Sequence, residues 1–150
     1  LRRLADALAG EWVVVVRAHP ATTFRLPGGY DGTLRDGQAG FDDVNDLLLA
    51  ADVLVTDYSS IMVDFANTGR PILLHADDYD SYRGDPGTYL DLRESGPGPI
   101  LTSTDELIAS LRDLEAVARK YDTRYQSFRT TYCTRETGAA AGAVVDGFFN

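Results

Sequence analysis

Ala51-Asp52-Val53-Leu54-Val55-Thr56-Asp57-Tyr58-Ser59-Ser60-Ile61-Met62-Val63-Asp64-Phe65 is the stretch that decides the fold. A short apolar run, rich in β-branched residues, stops at a polar turn, and two serines then open an amphipathic helix. Strand, turn and helix at this spacing make the first half of a βαβ unit. The first backbone N–H groups of a helix lack intrahelical partners, and the helix dipole favours negative charge there. The hydroxyls of Ser59 and Ser60 add donors, so the turn is a candidate phosphate site. The plainer reading is an N-cap. One serine suffices for a cap, and two adjacent hydroxyls favour the phosphate.

The same alternation extends in both directions. Leu1–Ala9 has leucines at helical spacing and ends at Gly10. Trp12-Val13-Val14-Val15-Val16 is a continuous β-branched run, as expected of a strand buried on both faces of a parallel sheet. It ends in Arg17-Ala18-His19-Pro20, where Pro20 prevents further central pairing. Ala21–Gly40 is expected to be a loop with a short strand near Gly32–Arg35. Asp42–Ala50 is expected to be a helix, Asp52–Thr56 a strand, and Ser60–Thr68 a helix stopped by Gly69. Pro71–His75 is the next strand, Asp77–Gly98 an irregular, site-facing loop, and Ile100-Leu101 a last short strand. Ser103-Thr104-Asp105-Glu106 reads as a capping box opening a helix with Leu107, Ile108, Leu111 and Leu114 on one face. Helices over about Tyr121–Tyr132 and over Gly138–Phe149 close the chain. The fold expected is α/β, a Rossmann-like, mainly parallel sheet with helices on both faces. Ligands on such sheets bind beyond the carboxyl ends of the strands, where Arg17–Pro20 and Thr56–Ser60 both fall.

At 150 residues the chain is expected to be a single domain. It starts without Met, which suggests a piece of something longer. It has no secretory h-region and no apolar run long enough to span a membrane. The net charge of -9 argues against nucleic-acid binding and leaves no polybasic patch for anionic lipid. A phosphate ligand here must be held by local donors, because the overall field repels it. The lone Cys133 excludes an internal disulfide and reads as a packed thiol.

His19 has two readings of equal weight: a donor that stabilises charge on a diphosphate leaving group, or a structural bond to a loop carbonyl. Arg17 reads either as a ligand contact or, more readily, as a side chain turned away to pair with a carboxylate. Asp57 holds the turn or orients His19. Asp64 accepts from ligand hydroxyls or caps a neighbouring loop. His75, at the end of the third strand, lines the pocket rim or is structural, the second being favoured. Asp77, Asp78 and Asp80 read as a solvated cluster. No Walker A, Gly-x-Gly-x-x-Gly, Gly-x-Ser-x-Gly or metal-ligand spacing occurs, and neither a metal nor a cofactor is expected.

These residues together resemble the C-terminal domain of the CDP-glycerol:poly(glycerophosphate) glycerophosphotransferases, the teichoic acid polymerases and primases. The likeness runs through Arg17–Pro20, Asp46–Asp52, Val55–Ala66, Gly69–Ile72, Tyr79–Arg83, Tyr89–Leu92, Pro97–Ile100, Thr104–Leu107 and the final helix. It implies the C-terminal, donor-binding half of a GT-B architecture, with CDP-glycerol or a related CDP-polyol as ligand. It implies that His19 assists departure of CMP, that Ser59 and Ser60 hold phosphate, and that Asp64 sits near ribose or glycerol hydroxyls. Arg17 and Asp57 complete the expected set. The implied partners are an N-terminal acceptor domain with its own catalytic histidine, absent from this chain, and a lipid-linked polymer acceptor. The implied location is the inner face of the cell membrane. The family carries an Arg-Gly before its aromatic Tyr-x-Asp, whereas this chain reads Asp85-Pro86-Gly87-Thr88-Tyr89-Leu90-Asp91.

Overall fold

The structure, a computed structural model, describes residues 1–19, 22–30, 32–38, 41, 43–82, 90–134 and 137–149, without the side chains of 80 and 82. Strands β1 (Val14–Val16) and β2 (Leu34–Asp36) pair in parallel, with Val14 opposite Leu34. Strands β3 (Leu54–Thr56), β4 (Ile72–His75) and β5 (Ile100–Leu101) form a second parallel sheet in that order. Helix α1 (Arg2–Leu8) precedes β1, α2 (Val44–Ala50) joins β2 to β3, and α3 (Ile61–Ala66) joins β3 to β4. Between β4 and β5 lie α4 (Tyr79–Tyr82) and α5 (Leu92–Ser95). Helices α6 (Thr104–Arg112), α7 (Leu114–Tyr132) and α8 (Ala140–Phe149) follow β5.

The side-chain alternation of β4 sorts the core into two layers. Ile72 and Leu74 pack with Leu48 of α2, with Met62, Phe65 and Ala66 of α3, and with Tyr125 and Phe128 of α7. Leu73 packs on the opposite face with Leu4 and Leu8 of α1 and with Leu107, Ile108 and Leu111 of α6. Helices thus cover both faces of β4, but the strand expected at Trp12–Val16 to be buried on both faces is not. Val13 and Val15 are exposed, because the helices pack on β4 and β1 meets this core only through Trp12 and Val14. Val14 of β1 and Val53 at the entry to β3 lean on this second cluster, which brings the two sheets together there.

Polar groups fix the connections. Arg70 Nη1 donates to the carbonyls of Leu49 and Ala51, both at 2.7 Å, and so ties the approach to β4 to the end of α2. Gly69 leaves α3 with φ 73°, a conformation that costs a side-chain-bearing residue energy. At Gly98 a Cβ would lie 1.8 Å from the Ile72 carbonyl oxygen, so only glycine lets β5 approach β4 there.

Three further expectations need correction. The expected irregular loop Asp77–Gly98 contains α4 and α5, each a single turn and too short to show a period. Asp91 starts α5 by accepting the Arg93 N–H at 2.9 Å. The helix expected from about Tyr121 begins at Leu114. The chain is helical on both sides of Asp113, whose φ of -124° makes only a corner. The capping box is half formed. Ser103 accepts the Glu106 N–H, but the Glu106 carboxylate reaches the Thr102 N–H at 2.7 Å rather than that of Ser103. That bond lowers the pKa of Glu106. Pro20 and the departure at 85–89 lie outside the described residues.

Candidate functional site

The carboxyl ends of β1, β3 and β4 carry the polar residues singled out above. Past β1 the chain is stitched to the segment that follows β2. Arg17 Nη1 donates to the carbonyls of Gly37 (2.8 Å) and Phe41 (2.9 Å), and Gln38 Nε2 donates to the Ala18 carbonyl at 3.1 Å. These bonds hold residues 17–18 in place and present His19, whose side chain is exposed. The Arg17 partners are backbone carbonyls, where a carboxylate was expected, because the chain following β2 passes directly beneath it.

Past β3 the turn is built by Asp57, whose Oδ1 accepts the Ser59 N–H at 3.0 Å. This is an Asx turn, the structural role expected of Asp57. Ser59 Oγ meets the Ile61 N–H at 3.4 Å, a weak cap. Ser60 occupies the N-cap position, yet its hydroxyl makes no capping bond. One serine is used by the helix start and the other is left for another partner. Helix α3 is six residues long, so its dipole is small, and the capacity of this turn to hold an anion rests on hydroxyl and backbone donors.

Asp64 lies one turn further along α3 and is exposed. It lies close enough to the end of α7 to act on Cys133. Burial first pushes that thiol's pKa up, the Arg129 guanidinium lowers it, and the Asp64 carboxylate raises it. The Cys133 thiol donates to the Val63 carbonyl at 3.5 Å, a packed thiol as expected. Asp57, Ser59 and Ser60 are therefore gathered in one turn, His19 and Arg17 stand on a separate loop, and Asp64 looks toward α7.

Sequence reasoning missed Tyr58. Its phenol donates a short hydrogen bond to the Asp78 carboxylate. Its ring stacks on Tyr79 at 6.1 Å. Burial, then Asp78, push its pKa well above the ordinary tyrosine value. Tyr79 in turn donates to Asp91 at 3.2 Å and accepts the Leu92 N–H at 3.1 Å, and the Arg93 guanidinium lies 5.1 Å from its ring centre. This corner locks the serine turn to the segment after β4. An aromatic residue amid the polar residues of the turn was the available signal. Among the described residues no group of three or more His, Cys, Asp or Glu could hold a metal ion.

A family model described as CDP-Glycerol:Poly(glycerophosphate) glycerophosphotransferase matches residues 1–150. The chain is 33% identical over 152 residues to the teichoic acid poly(glycerol phosphate) polymerase of Bacillus subtilis (strain 168), covering 99% of this chain and 20% of that protein. It is 33% identical over 151 residues to a teichoic acid glycerol-phosphate transferase of Staphylococcus aureus, covering 99% of this chain and 38% of that protein. The solved structure of the wall teichoic acid polymerase TagF superposes with a TM-score of 0.84 at 32% identity, covering 97% of this chain and 36% of that one. A variant of TagF soaked with CDPG superposes equally well, at 0.84. The chain thus spans between a fifth and two fifths of the length of these relatives.

Proposed function

This chain belongs to the CDP-glycerol:poly(glycerophosphate) glycerophosphotransferase family, and from that premise we propose that it is the donor-binding part of a polyol-phosphate transferase. The ligand is CDP-glycerol or a related CDP-polyol. An acceptor hydroxyl attacks the β-phosphorus. A new P–O bond forms to the acceptor, the bond to the oxygen bridging to CMP breaks, and CMP leaves with the negative charge. His19 donates to the diphosphate and stabilises that charge as it develops, which is electrostatic stabilisation of a leaving group. Ser59 and Ser60 hold phosphate oxygens, on a turn shaped by Asp57. Arg17 supports the His19 loop with the bonds it makes to Gly37 and Phe41, leaving its other guanidinium nitrogens for the ligand. Asp64 accepts from ribose or glycerol hydroxyls. The acceptor hydroxyl and the base that deprotonates it come from the rest of the protein, an N-terminal acceptor domain that this chain does not include.

The observation that carries this reading is the uncommitted Ser60 hydroxyl. It stands in the turn after β3, while the exposed His19 stands past β1. Both occupy the strand ends where such sheets take ligands. The full-length protein acts on a lipid-linked polymer at the inner face of the cell membrane. No described helix is long and apolar enough to cross a membrane.

Isothermal titration with CDP-glycerol, CMP and UDP-glucose tests the reading. Saturable binding confined to the cytidine ligands is expected, and His19→Ala should weaken CDP-glycerol by at least about tenfold, ~1.4 kcal/mol. A preference for UDP-glucose would make this a sugar-nucleotide domain instead. Unchanged affinity in His19→Ala would remove the role given to His19.

A further inference from the structure

The chain has two histidines, and both stand at the carboxyl end of a parallel strand. His19 lies three residues past the end of β1, and His75 is the last residue of β4. The function proposed above uses only the first. Alternation along β4 sets His75 on the same face as Leu73, and its register partner Leu101 belongs to the cluster on that face. Asp57 follows Thr56 as His75 follows Leu74, one step beyond the paired residues. The two side chains therefore leave neighbouring strands on one face, at the edge that carries the serine turn.

His75 is half-buried, and its Nε2 is fully buried with no hydrogen-bond partner among the described residues. A buried nitrogen left in this way is unfavourable, having given up water without a replacement hydrogen bond. Phenylalanine has a similar shape and would carry no such cost, so packing does not explain an imidazole here. The partner it lacks must come from outside the described residues. The chemistry of the edge narrows what that partner is. A diphosphate carries several negative charges into a chain of net charge -9. The Nη1 of Arg17 is committed to two carbonyls, so the donors left for the anion are its other guanidinium nitrogens, hydroxyls, backbone N–H groups and imidazoles.

We propose that His75 is a second imidazole of the phosphate-binding edge, and that a diphosphate oxygen of the CDP-linked donor is the hydrogen-bond partner it lacks. The proposal rests on the donor-binding reading above. A half-turn about χ2, a soft torsion for an imidazole, carries the nitrogen to the opposite edge of the ring. There it donates to the phosphate and its desolvation is repaid.

The test is titration of the full chain, and of its His75→Phe and His75→Gln variants, with CDP-glycerol and with cytidine, which has no phosphate. Thermal melts establish that each variant folds, and His75→Leu replaces the Phe variant if that one does not. His75→Phe should weaken CDP-glycerol about tenfold and leave cytidine unchanged, and His75→Gln should restore part of the loss. CDP-glycerol affinity within twofold of the parent in His75→Phe overturns the proposal. So does an equal loss on cytidine, because the contact would then be to the nucleoside. A parent chain that binds cytidine but gains nothing from the diphosphate overturns the donor reading itself, a failure distinct from the other two.

Discussion

Tyr125 shows how one side chain couples packing to titration. Its hydroxyl donates to the Arg70 carbonyl at 2.7 Å, the same residue whose guanidinium clasps the end of α2. Burial, offset by the Arg129 guanidinium and reinforced by Cys133, pushes its pKa up to about 12. The unfolded value is about 10, so folding favours the protonated phenol. Its contribution is complete below about pH 10 and is lost as the pH rises toward 12. The denaturation midpoint should fall across that window in the parent and fall less in Tyr125→Phe. Equal pH slopes in the two proteins would remove Tyr125 as the source. The site shows the same limit of sequence reading at this scale. The Asx role of Asp57 was legible because its partner is two residues away. The carbonyl partners of Arg17 lie 20 and 24 residues on, and the Asp78 partner of Tyr58 lies 20 residues on. No local pattern announces contacts at that range. His75 was legible as a residue on the strand edge, but its unpartnered nitrogen emerges only from packing.

Among the elements, the strands were the most legible. The apolar runs ending at Val16, Thr56 and His75 all form strands, although only β4 is covered on both faces and Val13, Val15 and Val55 are exposed, and the short strand expected near Gly32–Arg35 forms as Leu34–Asp36. Helix ends were legible where a side chain marks them, as Ser103 does by accepting the Glu106 N–H ahead of α6. They were hidden where a corner such as Asp113 separates two helices. Gly98 is a stronger constraint than any of these. An added Cβ meets the backbone oxygen of Ile72, in the middle of the core, and backbone cannot yield as a side-chain tip can. Gly98→Ala should cost at least ~3 kcal/mol, lowering Tm by on the order of 10 °C. Gly28→Ala, where nothing lies within 4 Å, is the control and should melt with the parent. A Gly98→Ala protein that also melts with the parent would mean that β5 can draw away from β4 at little cost.

Across the whole molecule, stability is unevenly spread. The two core layers meet across β4 and draw on α1, α2, α3, α6 and α7. Helix α8 joins neither layer, and none of its residues is buried. Val144, Val145, Phe148 and Phe149 recur at four-residue spacing, and all four are more than half exposed. Its pattern was legible as a helix, because the spacing is local. Its lack of a packing partner was not, because an apolar stripe reads the same whether or not something covers it. Burial is what converts apolar surface into stability, so this helix contributes little to the fold of the chain. Deleting residues 139–150 should therefore leave Tm within about 2 °C of the parent, less than the shift produced by ~1 kcal/mol in a domain of this size. A melt followed by circular dichroism at 222 nm checks this, and the helical signal should drop only by the share of the deleted helix. A fall in Tm of more than about 4 °C would show that α8 supports the sheet layers in solution, and that the apolar stripe is covered by the chain's own core.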